Sequence, residues 1–380
     1  MVGPSARSPS SLGLLSTYPP TQCGLATFNA ALWQHLARSG NASVIRVVDQ
    51  PETHPGPEVV AHLVNGSASS ATAAVEALNS HDVVLVQHEY GIYGGPDGQD
   101  VVALLEALTV PTIVVLHTVL QEPTAHQRWV LERVVASADV LVTMTEAGRQ
   151  RLLKQYDVHP SRAVVIPHGA VGPGALALRG RVPKRPVILT WGLLGPGKGI
   201  EWVIDALPGL RDLSPRYLVL GKTHPKVLDH AGEAYRESLE RRAARHGVLD
   251  LVELDDRYLT TGELAQTIDA AAVVLLPYDS REQVTSGVLV EAVAAGRPVV
   301  STAFPHAVEL LGDGLGVVVP QGDSTAIEHA LRRVLTEPDL AADMARRAVR
   351  KAPELLWGAV AERYRALAEN LVAAELASAS

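Results

Sequence analysis

The stretch VVLLPYDSREQVTSGVLVEAVAAGRPVVST, residues 273 to 302, contains a strand, a loop, a helix and a second strand in succession. VVLLPY is a short aliphatic run without polar alternation, which is the pattern of a strand buried on both faces. SGVLVEAVAAG then reads as a helix, and PVVST follows at once as the next aliphatic strand. Two such strands joined through a helix imply a parallel pair with a crossover, the building unit of an α/β protein.

Outward from this unit the same alternation continues. VILTWGLL, a helix from GIEWVIDALPGL, RYLVLG, a helix around AYRESLERRAARHG, LVEL and ELAQTIDAA precede it, and LGVVVP follows. Further upstream, SLGLLSTY leads through the glycine-bearing YPPTQCGLATF into the helical NAALWQHLARSG. ASVIRVVDQ, DVVLVQHEY, PTIVVLHTV, ADVLVTMT and AVVIPHG are further buried strands, separated by helix-like segments. Between the two series, residues 169 to 186 crowd Gly and Pro together with no amphipathic period, so the chain breaks there.

With 380 residues the chain exceeds the size of a single core, and two domains are expected. The boundaries read as a flexible arm at 1–10, an N-terminal domain at 11–172, a linker at 173–186, a C-terminal domain at 187–355, and a final helix at 356–380 that crosses back to the first domain. Hydrophobic residues make up 47% but aromatic ones only 4%, so the cores are aliphatic, as helices packed on parallel sheets require. Two doubly wound sheets facing each other place their ligands beyond the carboxyl ends of the strands, in the cleft between domains.

A net charge of -8 argues against general affinity for nucleic acid. The single Cys23 excludes an internal disulfide framework and a cysteine-based zinc site, which points to a reducing, cytoplasmic setting. MVGPSARSPSS lacks the apolar core of a signal peptide, and no run of eighteen apolar residues occurs, so membrane contact is expected to be peripheral at most. The basic segment RQRLLKQYDVHPSR reads as a solvated helix in preference to a lipid-docking one.

The loop between VVLLPY and LVEAVAA carries the chemistry. Thr285, Ser286, Gly287 and Val288 gather backbone N–H groups at a helix N-terminus, where the dipole favours an anion, so they form a candidate phosphate seat. Glu291, on the first turns of the helix, can reach a neighbouring diol with both carboxylate oxygens; the plain alternative is a surface glutamate that complements the helix dipole. Gly24 stands where a strand turns into a helix, a place suited to close approach of backbone to ligand or to an ordinary turn. His117 follows an aliphatic strand, a position from which an imidazole can hydrogen-bond to a ligand or pack as a core histidine.

Taken in order, YPPTQCGLATF, VIPHGA, GPGKGIEWVIDAL and SGVLVEAVAAGRPVV resemble family 4 glycosyltransferases of the GT-B fold. The resemblance runs from about residue 11 to the final helix. It implies a retaining enzyme that moves a hexose from a nucleoside diphosphate sugar to an acceptor hydroxyl, with no metal and no other cofactor. The same resemblance implies that Glu291 holds the ribose, that Lys198 and the 285–288 turn bind the donor phosphates, and that the Gly24 loop faces donor phosphate and acceptor. His117 and Gln283 would attend the transferred sugar as catalytic residues, while His88, Glu89 and Tyr90 would serve the acceptor, a sugar, polysaccharide or small molecule. His168 is frequent in the family and reads equally well as a hinge residue; His224 and His306 carry no assigned role.

Two departures from the family pattern stand out. Gln283 occupies the place of a glutamate thought to stabilise positive charge at the anomeric carbon; an amide positions a sugar but brings no charge. Glu282 is the neighbouring alternative, and the register favours Gln283. Leu193 replaces the arginine that, with Lys198, neutralises the leaving diphosphate, leaving Lys222, Arg281 or backbone donors to compensate. A phosphorylase using a sugar 1-phosphate and a non-catalytic sugar- or nucleotide-binding protein are the two rival readings. Asp255 and Asp256 read as structural carboxylates and not as metal ligands.

Overall fold

A computed structural model describes residues 11–38, 40–52, 56–172 and 185–378. The arm at 1–10 and the linker up to residue 184 lie outside the described residues. The chain divides into two compact units, Met1–Gly169 with Trp357–Ser380, and Ala170–Leu356. The border therefore falls three residues before the expected 172, because Ala170 bonds into the second unit: its N–H donates to the Leu355 carbonyl at 2.8 Å.

The first unit runs β1 (Leu12–Ser16), α1 (Gly24–Leu36), β2 (Ala42–Val48), β3 (Val59–Val64), α2 (Ala68–Asn79), β4 (Val83–His88), α3 (Asp100–Glu106), β5 (Thr112–Leu116), α4 (Ala125–Ser137), β6 (Val140–Thr143), α5 (Glu146–Gln155) and β7 (Ala163–Val165). Its seven strands are parallel in the order β3-β2-β1-β4-β5-β6-β7. All residues of β1, β4 and β5 are buried, which explains why they read as mainly aliphatic runs without polar alternation.

The second unit runs β8 (Val187–Trp191), α6 (Ile200–Ala206), β9 (Arg216–Leu220), α7 (Pro225–Ala231), α8 (Ala234–Arg245), β10 (Val252–Asp255), α9 (Thr261–Ala270), β11 (Val273–Leu276), α10 (Gly287–Ala294), β12 (Val299–Thr302), α11 (Pro305–Leu311), β13 (Gly316–Val319), α12 (Ser324–Thr336) and α13 (Pro338–Leu355). Its parallel order, β10-β9-β8-β11-β12-β13, repeats the logic of the first sheet. The opening stretch is thus β11, α10 and β12, with β11 and β12 hydrogen-bonded neighbours.

The last helix, α14 (Trp357–Ser378), belongs to the first unit. Its buried residues Trp357, Val360, Ala361, Tyr364 and Ala368 recur at helical spacing and join Leu12, Phe28 and Leu32 in one core. In each sheet the strand order reverses once, between β1 and β4 and between β8 and β11. The crevice at the carboxyl ends of such a pair is where doubly wound sheets take ligands.

Candidate functional sites of the two units

In the second unit, β8 ends at Trp191 and β11 at Leu276, and the loops that follow them lie side by side. Gly199, at φ +66°, packs so closely on Pro277 that a β-carbon there would lie 1.8 Å from the Pro277 carbonyl oxygen. The Asp279 N–H donates to the Gly197 carbonyl at 2.9 Å, a second tie between the loops. Lys198 is thereby brought over the Tyr278 ring, its Nζ 4.5 Å from the centroid. Burial lowers the lysine's pKa.

Tyr278 is itself buried and stacks on Phe304 with ring centroids 5.2 Å apart. Its hydroxyl bonds the Ser286 side chain. Ser286 caps α10, its Oγ accepting the Leu289 N–H at 3.3 Å. Gly287 and Val288 are the first two helical residues, and amides at those positions have no acceptor within a helix.

One member of the expected phosphate seat is corrected. The Ser286 N–H donates to His306 Nδ1 at 2.8 Å, so this amide already has an acceptor inside the protein. The Thr285 carbonyl accepts the Gln283 side-chain amide at 3.0 Å, which ties Gln283 into its own loop. Glu282 is half-buried and Arg281 exposed on the same loop.

Glu291 is half-buried, and the Trp191 side chain hydrogen-bonds to its carboxylate. Burial pushes the carboxyl up to about 7, with the Trp191 bond opposing the rise. A glutamate on the solvated face of a helix has neither property, so the dipole-complementing alternative does not describe it. Leu193 stands at the missing arginine's place, and the adjoining Leu194 pairs with the next loop: its N–H donates to the Lys222 carbonyl, and the His224 N–H donates to Leu194, both at 2.8 Å. Lys222 is exposed there. Asp255 is held by the Arg257 guanidinium at 2.6 Å and by the Arg257 N–H at 3.0 Å, which accounts for it as a structural carboxylate.

In the first unit, Cys23 caps α1 through its sulfur, and Gly24 is the first helical residue. A β-carbon on Gly24 would meet nothing within 4 Å, so the local fold does not demand a glycine. His117 follows β5; its Nε2 lies 2.7 Å from Gln87 Oε1, and its ring meets the edge of Phe28 at 5.0 Å. Burial lowers its pKa to about 3, helped by the neighbouring His168 and His88 rings. His168 bonds the Gly169 carbonyl at 2.6 Å and packs between Phe28 and Trp357 beside the unit border; burial lowers it to about 4.

The expected acceptor-side loop is built differently. His88 is 1% exposed, and this burial lowers its pKa to about 4. The Glu89 carboxylate accepts the Tyr90 N–H at 2.9 Å and the Thr118 hydroxyl at 2.6 Å. Tyr90 donates to the Gln127 carbonyl at 3.4 Å. Glu89 thus ties the loop after β4 to the loop after β5, and Tyr90 ties it to α4. Sequence reasoning left His306, Trp191 and Tyr278 without roles; a polar ring at the end of a buried strand was the available signal for Trp191.

Two doubly wound parallel sheets in one chain, each with one reversal of strand order, are the pair of Rossmann-like units that defines the GT-B fold. The family model for Glycosyltransferase Family 4 matches residues 24–171, and that for Glycosyl transferases group 1 matches residues 185–337. Together they take in most of the chain, which belongs to this glycosyltransferase family.

Among curated proteins the chain is similar to the D-inositol 3-phosphate glycosyltransferase of Kineococcus radiotolerans, at 31% identity over 255 residues, 61% of this chain and 57% of the relative. It thus spans a little over half the length of the curated relatives it matches. Among solved structures it is similar in fold to Anabaena Alr3699/HepE in complex with UDP and glucose, with 17% identity, a TM-score of 0.73 and coverage of 96% of this chain and 100% of that one. A glycosyltransferase from Rickettsia africae gives 14% identity, a TM-score of 0.76 and coverage of 96% and 99%.

Proposed function

We propose that this protein is a retaining glycosyltransferase that moves a hexose from a nucleoside diphosphate sugar to an acceptor hydroxyl. The observation that carries the reading is Glu291, a half-buried carboxyl beside the first amides of α10, at the switch point of the second unit. In this reading the carboxylate takes the ribose diol. The amides of Gly287 and Val288, the Thr285 side chain and the Lys198 ammonium take the donor phosphates.

His117 and Gln283 orient the transferred sugar, and the loop at Gly24 gives room for phosphate or acceptor. The departing phosphate accepts the acceptor's proton as the new bond forms on the same face, so positioning is the protein's main contribution. Lys198 and the helix N-terminus supply the positive charge for the leaving group, and the mechanism calls for no metal. Glu89 and Tyr90 shape the acceptor side from behind. The D-inositol 3-phosphate glycosyltransferase relatives make a phosphorylated cyclitol an acceptor to test beside simple sugars. The single Cys23 supports a cytoplasmic setting, and no helix among the described residues is long and apolar enough to cross a membrane.

Leu193 favours one rival, a sugar phosphorylase, because a single phosphate requires less positive charge than a diphosphate. Calorimetric titration with UDP, GDP, ADP and inorganic phosphate, each alone, separates the two. Binding of one nucleoside diphosphate supports the transferase and names its donor; binding of phosphate alone supports the phosphorylase. Turnover of the matching nucleotide sugar then dismisses a purely binding role.

A further inference from the structure

The Ser286 N–H lies at the head of the proposed phosphate turn, yet it points at an imidazole and not at open space. His306 is 4% exposed, sits on α11 twenty residues further along the chain, and accepts that N–H at 2.8 Å through Nδ1. A ring nitrogen that accepts carries no proton, so the neutral imidazole has its hydrogen on Nε2. The segment that delivers His306 also delivers Phe304, which stacks under Tyr278, the ring beneath the Lys198 ammonium. Thr302, at the end of β12, donates to the Tyr278 carbonyl at 2.6 Å. One strand end and one short helix therefore support both the lysine and the turn.

We propose that His306 is a positioning residue for donor phosphate binding: by accepting the Ser286 N–H it fixes the orientation of the 285–288 turn, so that the following amides, Gly287 and Val288, are presented to the diphosphate. The inference rests on the nucleoside diphosphate reading above. The imidazole itself touches no phosphate. Its contribution is made before the ligand arrives, as preorganisation of the donors, and without it the turn must be ordered at the moment of binding.

The shape of the acceptor gives the test. Asparagine places its carbonyl oxygen where Nδ1 stands, whereas glutamine places its own one bond further out, near Nε2. The full chain and the variants His306→Asn, His306→Gln and His306→Ala are titrated with whichever of UDP, GDP or ADP the wild type binds, and with the corresponding nucleoside. His306→Asn is expected to hold the diphosphate within about threefold of wild type, and His306→Gln and His306→Ala to weaken it by about tenfold or more, with nucleoside affinity unchanged in all three. Wild-type diphosphate affinity in His306→Gln overturns the inference. So does an equal loss of nucleoside and diphosphate, which marks a merely structural role. If His306→Ala does not fold by circular dichroism, the Asn and Gln pair decides. A wild type that binds none of the three nucleotides overturns the donor reading itself and not the role of the imidazole alone.

Discussion

Glu291 shows how much one carboxyl's surroundings matter. Its pKa, pushed up to about 7 by burial, keeps a sizeable fraction of it protonated at pH 6.5 in the free protein. A ribose diol donates to the ionised form and favours it, so nucleotide binding at pH 6.5 should release a proton and affinity should rise with pH until it levels off above 7. Calorimetry in two buffers of different ionisation enthalpy reads the proton directly; none released would remove Glu291 from the ribose site. Glu291→Gln should abolish the release and weaken the nucleotide by about tenfold. At Gln283, substitution by Glu restores the family's charge but removes the donor that bonds the Thr285 carbonyl. Transfer should persist or improve in kcat while donor KM rises, by about threefold to tenfold. A folded but inactive variant would show that the amide is required. The identities of these residues were legible in the sequence, but the loop bond of Gln283 and the Ser286 contact to His306 were not, because both depend on how a loop without a repeating pattern closes.

Secondary structure was legible where burial is uniform. Strands β1, β4, β5 and β11 announce themselves because both faces are covered and most positions are aliphatic, with the few polar residues at the strand ends. β3 escapes the sequence reading because it is an edge strand in which only Leu63 is fully buried and His62 interrupts the apolar run. The turn into α6 is the more consequential element for the site. Gly199→Ala puts a β-carbon 1.8 Å from the Pro277 oxygen at a residue whose φ is +66°, so the loops after β8 and β11 must separate. A loss of about 2 to 4 kcal/mol in urea unfolding is expected. Nucleotide affinity should fall with it, because Lys198 moves off Tyr278. Unchanged stability and affinity would show that the two loops are not coupled through this glycine.

At the scale of the whole chain, residues far apart in sequence complete the first unit's core. Trp357 meets Phe28 at 4.9 Å and His168 at 5.6 Å, and a β-carbon on Gly169 would collide with its indole. Trp357→Ala should cost about 3 to 5 kcal/mol of the first unit's stability, read as an earlier unfolding step. An unchanged unfolding curve would show that α14 is dispensable to that core. Acid should act on the same unit through its histidines. His88, His117 and His168 have pKa values lowered to about 4, 3 and 4 by burial, whereas the unfolded chain protonates near 6.5. Stability from these groups is therefore complete above pH 6.5 and declines as pH falls below it, by up to about 1.4 kcal/mol per pH unit for the fully buried His88. His117 and His168 are half-buried and should add less. Melting curves at pH 7 and 5 measure the decline, and His88→Gln should flatten it. An identical midpoint at the two pH values would show that the three rings protonate in the folded state.

The fold class, the two-unit plan and most of the site's residue types are written locally. Strand, helix and glycine-turn patterns reflect which positions are buried in a short segment, and the loops after VILTW and VVLLPY carry their polar residues next to those segments. Ser286 bound to His306, Tyr278 between Lys198 and Phe304, Trp191 on Glu291, and the burial of His88 all depend on segments that only folding brings together. A hydrogen bond or a desolvated carboxyl is a property of two or more segments at once. No single stretch encodes it, and it becomes definite only when the parallel sheet sets neighbouring strands, and the loops beyond them, side by side.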